Sequence, residues 1–179
     1  VTVIMPCEDN MFAKKLTAAS FVLNGFGKTA GLVQVDELGT LETPIALTNT
    51  LNVGLVHDAL VTVMAERCAR EHVARHSINP VVGECNHAQL TAIVDRPIRE
   101  EHVREAIANA CRDFDEGDVG AGAGTVCHGL KGGIGSASRQ IEILGRTYTL
   151  GVLVQSNHGC LEELTVCNRR LGEEIIAKR

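Results

Sequence analysis

Cys160 follows Gly159 at the end of an apolar run, in the string Ser156-Asn157-His158-Gly159-Cys160. A thiolate is a strong nucleophile near neutral pH, and a glycine beside it leaves the adjoining peptide bond open and flexible. Upstream, residues 117–135 read GDVGAGAGTVCHGLKGGIG. Each glycine gives up more backbone freedom on folding than alanine would, so such density belongs where backbones approach closely or φ must be positive. Both suit a wall of main-chain N–H groups around a reacting centre.

Three common readings of a glycine-rich loop fail on their spacing. A dinucleotide fingerprint would need glycine where Thr125 or Cys127 stands; Leu130 intrudes before Lys131 in the near-match to a P-loop; and no G-x-S-x-G surrounds Ser136. Lys131 then reads first as a solvated loop lysine and second as a pocket cation. His57, His87, His128 and His158, with Cys85, Cys127 and Cys160 nearby, lack regular ligand spacing, so no metal site is expected. Glu42 and Glu84 could pair as acid and base, but nothing in the sequence fixes their separation, and they are read as structural.

Composition bounds the rest. Apolar residues at 45% and charged residues at 22% are globular values, and 179 residues suffice for a single domain, 1–179, with a real core. Aromatic residues at 3%, no Trp and a net charge of −5 argue against a nucleic-acid partner, which needs stacking platforms and cations. There is no apolar run of about 18 residues, so no membrane span is expected. Seven cysteines, an odd number without a C-x-x-C pair, read mostly as small buried hydrophobes in a reducing compartment, hence a cytoplasmic protein. The chain opens on Val1 inside a β-type run, from which a missing or processed N-terminus is expected.

Strands are expected at residues 1–5, 18–23, 31–38 and 80–85, with 44–50 a strand end or a loop facing a pocket. Residues 53–74 keep helical spacing through Leu60, Val63, Met64 and Cys68. A second helix opens at Asp95-Arg96-Pro97, with Pro97 at its first position and Glu100 and Glu101 in its first turns. Residues 140–144 and 148–154 form a hairpin through Gly145-Arg146, residues 161–166 a further strand and 171–178 a last helix. Helices on antiparallel sheet, an α+β fold, fit this order better than a doubly wound sheet.

The run GDVGAGAG…HGLKGGIGSASR resembles the G-N-V-G-G-G-T-G…F-K-G-G-I-G-T-A-S-R signature of the DmpA-type aminopeptidases, the L-aminopeptidase/D-esterase and β-aminopeptidase family. VTVIMP (1–6), ETPIALTNTLNVGLVHDA (42–59) and PVVGECN (80–86) agree in order, and GVLVQSNHGCLEELTV (151–166) resembles the segment that carries the family's cleavage site. The resemblance implies an αββα sandwich of the DmpA/ornithine acetyltransferase type, incomplete in this chain. It implies a precursor that cuts its own Gly–nucleophile bond and then releases N-terminal residues from small peptides, amides or esters. No cofactor is implied, and homo-oligomers are usual. By position, scission falls between Gly159 and Cys160, with Cys160 as nucleophile. Asp118 takes the place of the family's oxyanion Asn, and Gln89 falls near its Tyr. Only 19 residues follow Cys160, fewer than the family's second chain, so a partial chain is expected. The changes at 89, 118 and 160 keep open a second reading, a catalytically inert homologue or fragment serving as a structural or interaction domain.

Overall fold

The computed structural model describes residues 1–178. They divide into two compact units, one of residues 1–85 and 92–114, the other of residues 86–91 and 115 onward.

The first unit is built on a three-stranded sheet. β1 (Thr2–Ile4) pairs antiparallel with β4 (Ile45–Asn49), Thr2 opposite Leu47, and β4 pairs parallel with β5 (Val81–Cys85), Ile45 opposite Val81. A parallel pair needs a long crossover, and α2 (Val53–Arg70) lies within it. Val53, Val56, Leu60, Met64 and Cys68 recur at three- and four-residue intervals and are buried. This stripe is what a helix needs to cover a sheet. Val56 and Leu60 join Ala46 and Val82 in one apolar cluster, to which α3 (Glu100–Ala108) adds Val103. Arg104 ties the two helices on the surface, meeting Glu66 of α2 at 2.8 Å and Glu100 of its own first turn at 2.7 Å. A second cluster joins Val35 of α1 (Leu32–Leu38) to Leu41 and Val81; a ribbon of β2 (Leu16–Thr17) and β3 (Thr40–Leu41) borders it.

Several expected elements differ. Where a strand is expected at 31–38, residues 32–38 are helical: Leu32 and Val35 share one face, Val33 is exposed, and Gly39 closes the helix in the left-handed region at φ 65°. Residues 18–23 form no strand, and Phe21 and Leu23 stand in solvent. α3 starts at Glu100 with Arg99 as N-cap, so Pro97 precedes the helix; Glu100 and Glu101 do fill its first turn. Residues 161–166 hold a single 3₁₀ turn over Leu161–Glu163. The sheet is mixed, because residues 44–50 place β4 centrally beside a parallel partner. Glu42 and Glu84 serve structure. Buried Glu42 pairs with Lys15 at 2.9 Å and accepts the Asn79 N–H at 2.7 Å, while Glu84 accepts the Lys28 N–H at 2.9 Å and the Thr50 hydroxyl.

Among the described residues, the second unit holds two hairpins, two 3₁₀ turns and a short helix. β6 (Val126–Cys127) and β7 (Leu130–Lys131) turn through His128 and Gly129, at φ 51° and 67°. β8 (Ile134–Ile143) and β9 (Arg146–Gln155) turn through Leu144 and Gly145, at 51° and 72°. Two consecutive positive φ values are what a two-residue turn requires to match the twist of its strands. The long hairpin therefore turns one residue earlier than expected, and β8 reaches back into the glycine-dense segment. α4 (Leu171–Ile176) follows. Among the described residues no helix is long and apolar enough to cross a membrane.

Candidate active site

The glycine-dense segment is a piece of close backbone packing. Gly117 exchanges both of its backbone hydrogen bonds with Ile134, at 2.7 and 3.0 Å. A Cβ on Gly122 would come within 2.6 Å of the Gly117 oxygen, and one on Gly124 within 2.4 Å of the His87 ring. Thr125 is fully buried and donates its hydroxyl to the Gly122 carbonyl at 3.0 Å. Lys131 belongs to this scaffold more than to solvent, since its ammonium donates to the carbonyls of Gly122 and Gly132, both at 2.8 Å. It also meets the Asp118 carboxylate at 3.2 Å. Asp118, one of the expected site residues, is thus an exposed carboxylate engaged by a cation.

Downstream, Gly159 has φ 76°, and a Cβ there would lie 2.3 Å from Cε1 of His128. The imidazole therefore sits where only glycine leaves room. His128 Nδ1 lies 2.8 Å from the Cys160 carbonyl oxygen; the carbonyl can only accept, so Nδ1 carries the proton. Cys160 is exposed and extended and heads the 3₁₀ turn at Leu161–Glu163. Its backbone N–H donates to the Glu163 carboxylate at 3.1 Å, and its carbonyl receives the Glu163 backbone N–H, also at 3.1 Å. The Glu163 carboxylate, followed by desolvation and the Glu162 charge, holds the Cys160 thiol above its ordinary pKa. A thiol in this setting keeps its proton until a base takes it.

Gln89 lies exposed on the turn at 88–90, beside buried His87. Neither Gln89 nor Asp118 is hydrogen-bonded to Cys160 among the described residues. Sequence reasoning missed Glu163 and His128, the two side chains that do hold Cys160. The sequence does carry a signal for one: a side-chain acceptor three residues after the residue that starts a turn is the spacing of a capping box.

A two-unit α+β chain, with a glycine-packed segment leading to a Gly-Cys peptide held by an acid, fits one class of hydrolase on comparison with known proteins. The model of peptidase family S58 matches residues 1–179, and the chain belongs to that family. It is 36% identical over 176 residues to the beta-peptidyl aminopeptidase BapA of Sphingosinicella xenopeptidilytica, covering 98% of this chain and 43% of that protein. Among solved structures, a protein of Pyrococcus horikoshii superposes with a TM-score of 0.93 at 47% identity, over 97% of this chain and 49% of that one. The L-aminopeptidase D-Ala-esterase/amidase of Ochrobactrum anthropi superposes with a TM-score of 0.86 at 35% identity, over 90% of this chain and 45% of that one. That enzyme is described as a prototype for the serine aminopeptidases and a variant of the Ntn hydrolase fold, so the fold expected from the sequence is the fold found. The chain spans less than half the length of each of these relatives.

Proposed function

We propose that this chain serves an aminopeptidase of the S58 type that releases N-terminal residues from small peptides, amides or esters. In this reading Cys160 is the nucleophile, freed by scission of the Gly159–Cys160 bond. The observation that carries it is the position of Glu163, whose carboxylate accepts the N–H of that peptide bond and also bears on the Cys160 thiol. One carboxylate can then take the thiol proton as Sγ attacks the Gly159 carbonyl carbon and return it to the departing Cys160 nitrogen. The C–N bond breaks as the C–S bond forms. Water then hydrolyses the thioester, leaving a Gly159 carboxylate, the thiol and a free α-amine. His128 holds the Cys160 carbonyl and fixes the residue during the shift. Asp118 and Gln89 are the expected polar groups for the oxyanion. The Asp118 carboxylate would repel an oxyanion, and the Lys131 ammonium beside it offsets that charge.

Cytoplasmic residence and homo-oligomeric assembly belong to the same reading, the first supported by seven cysteines that are all free thiols. The Asp118–Lys131 ion pair favours the competing reading, a domain that keeps the fold without the chemistry.

Intact mass after incubation at neutral pH with reductant separates the two. The hydrolase reading expects two fragments meeting at Gly159–Cys160, and loss of both scission and aminoacyl p-nitroanilide turnover in Cys160→Ala. Turnover retained in that variant removes Cys160 from the mechanism.

A further inference from the structure

Three side chains converge in the second unit beside Cys160, and one of them, His128, also holds the Cys160 carbonyl. Cys127 Sγ lies 3.4 Å from His158 Nδ1, and the His128 and His158 rings meet edge to face with centroids 4.7 Å apart. The potential ligand atoms of Cys127, His128 and His158 all lie within 4.8 Å of one another. We propose that they form a binding site for a thiophilic divalent cation of the zinc class, with three protein ligands and a fourth position open to water.

The dimensions suit that ion. With Zn–S about 2.3 Å and Zn–N about 2.0–2.1 Å, the sulfur–nitrogen edge of a tetrahedron is about 3.5 Å. The Cys127–His158 separation of 3.4 Å is that edge. The other ligand atoms lie within 4.8 Å, and a side-chain displacement of about 1.5 Å brings them to a tetrahedral edge of about 3.3–3.5 Å. The donor set, one thiolate and two imidazoles, is the kind that selects zinc over calcium or magnesium.

The outer contacts point the same way. His128 gives its Nδ1 proton to the Cys160 carbonyl, which leaves the Nε2 lone pair for a ligand. An imidazole that ligates a metal ordinarily donates its other N–H to a carbonyl or carboxylate in this manner, which fixes tautomer and ring orientation. The backbone is arranged to allow it. His128 occupies the first position of the β6–β7 turn, its N–H donates to the His158 carbonyl at 2.7 Å, and its ring rests against Gly159. Cys127 and His128 are half-buried and His158 is exposed, so the ion can enter from solvent. Sequence spacing did not announce the site because its ligands come from a tight hairpin and a separate strand end, 31 residues apart from Cys127 to His158.

Titration of the full chain with Co²⁺ under a phosphine reductant tests it, followed by displacement with Zn²⁺. The expected result is a thiolate-to-cobalt charge-transfer band that saturates near one equivalent and is lost in Cys127→Ser. His158→Ala and His128→Asn should bind at least about tenfold more weakly, Asn being chosen because it tolerates the turn's positive φ. Cys111→Ser and Cys167→Ser, at exposed thiols elsewhere, should match the parent within about twofold. A band that survives in Cys127→Ser, one that disappears equally in Cys111→Ser or Cys167→Ser, or no thiolate band at all overturns the proposal.

Discussion

The two units keep their shape by different means. In the first, side chains do the packing: Val56, Leu60, Val82 and Val103 are fully buried around a sheet covered by two helices. In the second, Ala121 and Ile134 are the buried hydrophobic residues among those described. Its apolar content lies on one face of the β8–β9 hairpin, where Ile141 faces Tyr148 across the ladder and Leu150, Val152 and Val154 follow at alternate positions. These side chains are exposed, Leu150 by 56% and Val152 by 51%. The unit is held by backbone instead, through the Gly117–Ile134 exchange and the tight backbone contacts of Gly122 and Gly133. A core of apolar side chains tolerates shape changes of a methyl group at a modest cost, whereas main chains in contact leave a Cβ no room without a shift of the backbone.

The sharpest way to break this contrast is to mutate each kind of support. Leu60→Ala should destabilise the first unit by about 2–5 kcal/mol in denaturant titration, because a fully buried leucine leaves a cavity. A cost below about 1 kcal/mol would mean that α2 is not the keystone described. Gly124→Ala should cost about 1–3 kcal/mol, the range of overpacking, by driving a methyl into the His87 ring. Loss of native signals confined to the second unit in hydrogen exchange would locate it there. Glu163→Gln perturbs reactivity more than stability. The carboxylate holds the Cys160 thiol up, so removing its charge lets the thiol pKa fall, and more thiolate is present at neutral pH. Peptide-resolved alkylation of Cys160 should accordingly quicken and its pH midpoint move down; an unchanged or slower rate would show that Glu163 does not control the thiol. The smallest effect is expected at Val152→Lys, within about 0.5 kcal/mol of the parent because the residue already faces water. Its signature is weaker self-association in sedimentation, as an apolar patch is interrupted.

How far the sequence revealed this molecule varies along the chain. α2 was plain because Leu60, Met64 and Cys68 repeat a four-residue interval over a long segment, and helical periodicity needs such length to show. α1 was misread as a strand because seven residues with Leu32, Val33 and Val35 satisfy either period; Gly39, the helix stop, was the usable clue. The start of β8 was hidden because glycine has no side chain to alternate. At the site, the Gly159–Cys160 pair stood out by residue type. The partners of Cys160 did not: Glu163 reaches it through a turn, and His128 through a hairpin that only folding brings near. The family signature was legible because it is written in glycines whose positions the backbone contacts fix.

The crossover from β4 through α2 to β5 has one more consequence, for the order in which the chain folds. Ala46, Val53, Val56, Ala59, Leu60 and Val82 lie within 37 consecutive residues and already form most of the first unit's main cluster. A contiguous segment that closes its own apolar contacts incurs little loop-closure entropy before those contacts form. We predict that residues 45–85 nucleate folding, with β1 and α3 condensing later onto a preformed face. Folding kinetics would then slow markedly in Leu60→Ala but mainly show faster unfolding in Val103→Ala; equal partition in both variants would place the nucleus elsewhere.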